Sequence, residues 1–143
     1  MTYLDTSALV KRFVAERGSE RVTRMILVEG PVATAKIAHA EVYAAFARRY
    51  RERALSRRGY AAALRNFRRD WEAYIRVDLR DDVLRRARSL VQRHPLRAYD
   101  AVHLATALDL QAAVGDPVTF VAADGPLLEA AAREHLKVVD PEV

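Results

Sequence analysis

Four acidic residues stand out because of where they lie in the sequence. Asp5 directly follows a short apolar run at the start of the chain, and Asp124 directly follows the run TFVAA. Glu41 is the only charge in IAHAEVYAAFA, and Asp100 is the only formal charge in AYDAVHLATAL. A carboxylate buried without a partner is costly, and clustered carboxylates raise one another's pKa. If the four meet, a hard divalent cation such as Mg²⁺ or Mn²⁺ would suit them.

A carboxylate cluster of this kind favours hydrolysis of a phosphodiester. A bound divalent cation polarises the phosphate, lowers the pKa of a water molecule and stabilises the leaving oxygen. Asp124 or Glu41 could orient the attacking water. The chain contains no cysteine, which excludes thiolate catalysis, disulfides and zinc–cysteine sites. Its four histidines show no zinc-ligand spacing, and His103 is expected to be a packed core residue rather than a ligand.

Each acid also has a structural explanation. Asp5 and Asp124 could simply cap the helices that follow them. Glu41 could lie on an exposed stripe of its helix, and Asp100 could occupy the first turn of its helix, where a negative charge is favourable. The functional hypothesis therefore depends on the four acting together. Two lie at strand ends, and two lie in apolar helices that could lean over the same edge.

Strand-like and helix-like patterns alternate along the chain, which predicts an α/β fold with a central parallel sheet flanked by helices. Such sheets collect their functional residues beyond the carboxyl ends of the strands. The predicted strands are Thr2–Leu4, Val32–Ala35, Ile75–Leu79, Val118–Ala122 and Lys137–Val139. The predicted helices are Ser7–Ala15, Ser19–Val28, Ile37–Arg53, Arg57–Tyr74, Asp82–His94, Tyr99–Ala113 and Pro126–His135. The segment Ile37–Tyr74 is interpreted as an inserted helical hairpin.

Length and composition predict one domain over residues 1–143, with 51% hydrophobic residues to build its core. No apolar run approaches the roughly 20 residues of a membrane span, and the N-terminus lacks the pattern of a secretory signal. We therefore expect a cytoplasmic protein without a membrane partner. The net charge is +5 and comes almost entirely from arginine, which binds phosphate with a planar fork. On charge alone, a nucleic-acid partner and a solvated helix surface remain equally open.

Four segments resemble the motif blocks of PIN-domain proteins and, more narrowly, of VapC toxins from toxin–antitoxin pairs. These segments are LDTSALVKRF, AEVYAAFAR, LRAYDAVHLATAL and TFVAAD, in the order of the family and across nearly the whole chain. The resemblance implies a PIN fold in which Asp5, Glu41, Asp100 and Asp124 form the acidic quartet. Asp5 and Asp100 would be the more direct metal ligands, with Ser7 and Thr6 in supporting roles.

The same resemblance implies an endoribonuclease that uses Mg²⁺ or Mn²⁺. It also implies an RNA substrate, a cognate antitoxin and a homodimer. The particular RNA, the cleavage position and the number of ions do not follow from the sequence.

Rival classes fit the motifs less well. A haloacid-dehalogenase-like phosphatase needs a second Asp two residues after the first, where this chain has Ser7. A phosphorylated receiver domain needs paired acids after its first strand, and these are absent. A non-catalytic basic RNA-binding module of PIN fold is the remaining alternative, although a pure binder has no need for clustered carboxylates.

The hairpin carries many arginines, and Arg65, Arg68 and Arg69 are candidates for RNA contact. An acidic site repels RNA, so basic residues elsewhere must hold the substrate. We predict that changing these three arginines to alanine weakens RNA binding and flattens its salt dependence, because fewer counterions are released. A binding titration at several salt concentrations checks this, and an unchanged slope would remove the three residues from the RNA interface.

Overall fold

The computed structural model describes residues 1–143 and has five parallel strands in the order β3-β2-β1-β4-β5. The strands are β1 (Thr2–Leu4), β2 (Val32–Ala35), β3 (Ile75–Val77), β4 (Thr119–Val121) and β5 (Lys137–Val139). The helices are α1 (Thr6–Val10), α2 (Ser19–Val28), α3 (Ala38–Arg51), α4 (Arg57–Trp71), α5 (Asp81–Arg93), α6 (Ala98–Val114) and α7 (Gly125–Arg133). The predicted α/β class, the parallel sheet and the helical hairpin, formed by α3 and α4, are confirmed.

The largest departure from the predicted elements is the length of α1. The sequence pattern predicts a helix to Ala15, but α1 ends at Val10. Beyond that point the amides of the next three residues donate to carbonyls three residues back, in tight turns. These turns place the Phe13 ring against Phe46 and Phe67, with centroids 6.1 and 5.4 Å apart. Packing against the hairpin therefore accompanies the early end of the helix.

Strand alternation divides the buried residues into two cores. Tyr3, Ala33 and Phe120 face one side of the sheet and pack against α5, α6 and α7. Leu4, Val32 and Val121 face the other side and pack against α1 to α4. Since successive side chains of a strand point to opposite faces, a shift of one residue would exchange the two sets. The register of these strands is therefore strongly specified.

The central strands end side by side. Leu4 of β1 pairs with Val121 of β4, and the Asp5 amide donates to the Val121 carbonyl at 3.1 Å. The residues that follow these two strands, including Asp5 and Asp124, thus emerge at the same edge of the sheet. None of the helices is long and apolar enough to cross a lipid bilayer.

Phe67 lies at the centre of the hairpin's aromatic cluster and is fully buried. We predict that Phe67→Ala lowers the free energy of unfolding by about 3 to 5 kcal/mol, because it removes apolar contacts and leaves a cavity. Chemical denaturation measures this loss. Arg68→Ala, at an exposed position of the same helix, is the control and should change stability by less than about 0.5 kcal/mol. Similar losses for both variants would contradict the assigned packing.

Candidate active site

The four acids predicted from the sequence all line one open cleft of about 700 Å³ at the carboxyl edge of the sheet. Asp5 and Asp124 reach it from the ends of β1 and β4, Glu41 from the first turn of α3, and Asp100 from the first turn of α6. Asp5 and Asp100 are buried, whereas Glu41 and Asp124 are half-buried. The structure therefore brings together four residues that are far apart along the chain.

Asp5 is the most deeply placed of these acids, with 4% of its surface exposed. Its Oδ1 accepts hydrogen bonds from the Ser7 hydroxyl at 2.7 Å and from the Ala8 amide at 2.9 Å. Both bonds favour the carboxylate, but burial dominates and raises the pKa of Asp5 to about 6. Oδ2 receives no hydrogen bond from the protein. A carboxylate oxygen in the cleft that has no hydrogen-bond partner in the protein is suited to binding a cation.

Ser7 joins the two strand ends. Its hydroxyl donates to Asp5 and accepts a hydrogen bond from the Ala123 amide at 2.9 Å. Ala123 precedes Asp124, whose Oδ1 accepts from the Leu127 amide at 2.9 Å and caps α7. The capping explanation therefore holds for both Asp5 and Asp124. It does not compete with a place in the cleft, because each side chain also lines that cleft.

Glu41 is held by a chain of polar contacts that starts in the core. The Tyr3 hydroxyl lies 2.8 Å from His103 Nδ1, and His103 Nε2 lies 2.7 Å from Glu41 Oε1. The Thr6 hydroxyl donates to the same Glu41 oxygen at 2.9 Å. Burial alone would raise the pKa of Glu41, but the contacts with His103 and Thr6 together lower it. Glu41 therefore keeps its negative charge more readily than an ordinary glutamate.

His103 is a residue whose link to the site the sequence did not predict. It is buried, as expected of a core histidine, with 2% of its surface exposed. It nevertheless contacts Glu41, so the contact joins α6 to α3. The available signal was its position three residues after Asp100, which places both on one side of α6. That spacing did not reveal which acid the imidazole would meet.

Asp124 is close enough to Asp100 to affect the ionisation of Asp100. Burial is the main cause that raises the pKa of Asp100, and the negative charge of Asp124 adds to it. Arg97 opposes this effect, since its Nε lies 3.4 Å from Asp100 Oδ2 and its Nη2 lies 3.5 Å from Asp124 Oδ2. The repulsion between the two carboxylates is thus partly relieved by one exposed guanidinium.

A basic flank lines the cleft beside the acids. It consists of Lys11, Arg17, Arg48 and Arg49. Arg48 and Arg49 belong to the arginine-rich hairpin considered for RNA contact, whereas Lys11 and Arg17 were not predicted from the sequence. Lys11 and Arg49 pair with Glu16, and Lys11 also pairs with Glu142. The predicted RNA-binding residues Arg65, Arg68 and Arg69 lie on α4 and do not line the cleft. Their contact with RNA stays a prediction for a surface outside it.

The donor chemistry of the cleft fits a hard divalent cation, although the ligands are not preassembled. All four acids offer carboxylate oxygens, which Mg²⁺ and Mn²⁺ prefer as ligands. One oxygen of Asp5, Oδ2, has no hydrogen bond to the protein. No three His, Asp or Glu side chains stand close enough together to hold an ion as they are placed. Small side-chain movements, with water completing the coordination, would have to accompany binding.

The fold and the cleft define an α/β protein with an acidic site at the carboxyl edge of a parallel sheet. The chain belongs to the PIN domain family, because the model of that family matches residues 2–124. The matched segment begins at β1 and ends at Asp124, so it includes all four acids.

Relatives and solved structures agree with this assignment. The chain is 37% identical to Ribonuclease VapC45 of Mycobacterium tuberculosis over 122 aligned residues. The alignment covers 85% of this chain and 82% of that protein. The fold of this chain matches a toxin–antitoxin complex from Klebsiella pneumoniae with a TM-score of 0.69 and 19% identity. The match covers 99% of this chain and 98% of the other. The fold also matches VapC20 of Mycobacterium tuberculosis, a sarcin–ricin loop cleaving toxin, with a TM-score of 0.68 and 19% identity, over 98% and 100% of the two chains.

The raised pKa of Asp5 predicts a pH-dependent stability cost. Between pH 4 and 6 the folded state binds a proton at Asp5 more readily than the unfolded state, so this residue lowers stability as pH rises. In EDTA at pH 7.5, Asp5→Asn should raise the free energy of unfolding by about 1 to 3 kcal/mol. The gain should disappear near pH 4.

Chemical denaturation across this pH range measures the difference. Asp116→Asn, at an exposed position, serves as the matched control and should show no such gain. A variant at Asp5 that is less stable than the natural protein at pH 7.5 would contradict the assigned electrostatic cost.

Proposed function

We propose that this protein is a metal-dependent endoribonuclease of the VapC type, the toxin of a toxin–antitoxin pair. The observation that carries the proposal is the meeting of Asp5, Glu41, Asp100 and Asp124 in one cleft at the sheet edge. Membership of the PIN domain family and 37% identity to a protein named as a VapC ribonuclease support the same activity.

The metal site of the proposal uses the four carboxylates. Asp5 and Asp100, which are the more buried pair, would hold Mg²⁺ or Mn²⁺ directly, while Glu41 and Asp124 would act partly through water. When bound, such an ion supplies Lewis-acid polarisation of the phosphodiester and a water of lowered pKa. Ser7 and Thr6 keep Asp5 and Glu41 in place through their hydrogen bonds.

The protein's own groups would position the reacting water and the RNA. Glu41 remains ionised and carries hydrogen bonds that fix its orientation, so it can accept a hydrogen bond from the attacking water. The basic flank lies beside the acids and offers cations to the RNA backbone. In this proposal the acidic groups of the cleft hold the ion and the water, and the basic groups bind the RNA.

An antitoxin partner belongs to the same proposal. One structural neighbour is described as a toxin–antitoxin complex, and it covers 99% of this chain. An antitoxin that entered the cleft would need cationic groups to satisfy the acids. The homodimer expected from the resemblance and the cytoplasmic location expected from the sequence stay predictions.

We expect the purified protein to cleave RNA with Mg²⁺ or Mn²⁺ and to lose the activity in EDTA. Asp5→Asn and Asp100→Asn should each reduce cleavage by on the order of 100-fold or more, since each removes a charged ligand. Gel analysis of total RNA after timed incubation measures the rate. Mapping of the cut sites would then identify the substrate.

Asp116→Asn is the control for protein handling, because it removes an exposed charge outside the cleft. Circular dichroism shows whether each variant is folded. Equal cleavage by the natural protein and both cleft variants would indicate a contaminating nuclease and defeat the proposal. Metal-independent RNA binding without cleavage would favour the non-catalytic RNA-binding module.

A further inference from the structure

Arg97 is the cation that contacts two of the four candidate metal-binding carboxylates. Its guanidinium bridges Asp100 and Asp124 at 3.4 and 3.5 Å, and its Cζ lies 4.9 Å from the centre of the Tyr99 ring. Asp100 belongs to the first turn of α6 and Asp124 follows β4, so the bridge joins two separate elements of the site. Arg97 therefore supplies positive charge to two of the carboxylates that would hold a metal ion.

Three other basic residues of the cleft have different partners. Lys11 pairs with Glu16 and Glu142, and Arg49 pairs with Glu16. The Arg17 side chain donates to the backbone carbonyl of Glu142 at 2.9 Å. Among the lysines and arginines that line the cleft, only Arg97 pairs with any of the four acids, so the competition described below involves Arg97.

The bridge is loose enough to exchange. Both contacts are longer than the roughly 2.7 to 2.9 Å of a strong charge-assisted hydrogen bond, and 66% of the Arg97 side chain is exposed. Exposed pairs of this kind contribute little to stability and are weakened by salt. A divalent cation carries twice the charge and relieves the same repulsion between Asp100 and Asp124. The carboxylates can therefore change partners without a change in the fold.

We propose that Arg97 is an exchangeable counter-ion of the active site. It neutralises Asp100 and Asp124 while no divalent cation is bound, and it contacts a backbone phosphate of the RNA once a cation takes over these carboxylates. The inference rests on the proposed function and deepens it, because it assigns a residue that couples metal binding to substrate binding.

The chemistry of a released Arg97 supports the second half of the exchange. A guanidinium that loses its carboxylate partners stays charged, and its planar fork matches the oxygens of a phosphate. Contact with the Tyr99 ring would keep the side chain at the edge of the cleft. RNA brought to the metal would then find a cation next to the reaction centre, where the acids alone would repel it.

Calorimetric titration with MnCl₂ tests whether Arg97 competes with a divalent cation for the carboxylates. The titration uses the metal-free natural protein, Arg97→Gln and Arg93→Gln. Arg93 is the matched control, since it is exposed and pairs with Glu134 outside the cleft. Loss of the competing cation should make Arg97→Gln bind Mn²⁺ about 3- to 10-fold more tightly. Arg93→Gln should bind it like the natural protein.

Unchanged or weaker Mn²⁺ binding by Arg97→Gln, beside normal binding by the natural protein, would overturn this inference and leave the proposed function intact. An absence of Mn²⁺ binding by the natural protein would instead remove the metal site and the inference together.

Binding of a labelled single-stranded RNA tests the second half. Ca²⁺ replaces Mn²⁺ as the ion, and a gel verifies that the RNA is recovered intact. Arg97→Gln should bind this RNA about 3- to 10-fold more weakly, with a salt slope reduced by about 0.7, the value for one lost phosphate contact. In EDTA, where Arg97 stays with the acids, the loss should be smaller. Equal losses in Ca²⁺ and EDTA, or no loss in Ca²⁺, would overturn the exchange.

Discussion

The buried carboxylate of Asp5, fixed where β1 meets β4, is the constraint on which the site depends. Its position follows from the sheet register, since the Asp5 amide bonds to the last residue of β4. The Ser7 hydroxyl then ties this carboxylate to the Ala123 amide beyond β4. Two strand ends and one acid are thereby held by a few short hydrogen bonds. Burial disfavours the negative charge of the Asp5 carboxylate. This charge is therefore unfavourable in the cleft when no cation is bound.

Two helices add acids to this edge because their first turns lie beside the ends of β1 and β4. Residues Ala101 to Leu108 of α6 are buried, so that helix lies within the core and reaches the cleft only near its N-terminal end, through Tyr99, Asp100 and His103. Asp100 occupies the first turn, where the helix dipole favours a negative charge. Glu41 holds the equivalent place in α3, and the contact with His103 connects it to Tyr3 in the sheet. The core therefore sets the orientation of Glu41.

Much of this arrangement could be predicted from the sequence, and the failures have physical causes. Strand positions and helix patterns depend on local periodicity, so β1, β2 and β5 were predicted with their observed bounds. The acids at strand ends followed from the general geometry of parallel sheets. The early end of α1 accompanies contacts between Phe13 and the hairpin, whose residues lie far along the chain. The link from His103 to Glu41 and the basic flank beside the acids are also long-range contacts, which periodicity does not encode.

The structural and functional explanations of the acids prove to be compatible, and this has a consequence for stability. Asp5 and Asp124 cap α1 and α7 through one carboxylate oxygen each, so the second oxygen is left for another partner. An amide side chain could keep the capping bond while removing the charge, which is why a cap alone does not require an acid. At Asp5, the burial of the charge therefore adds a cost that the capping bond does not require. A bound cation would offset that cost, and a substitution that removes the charge stabilises the metal-free fold at the expense of a ligand.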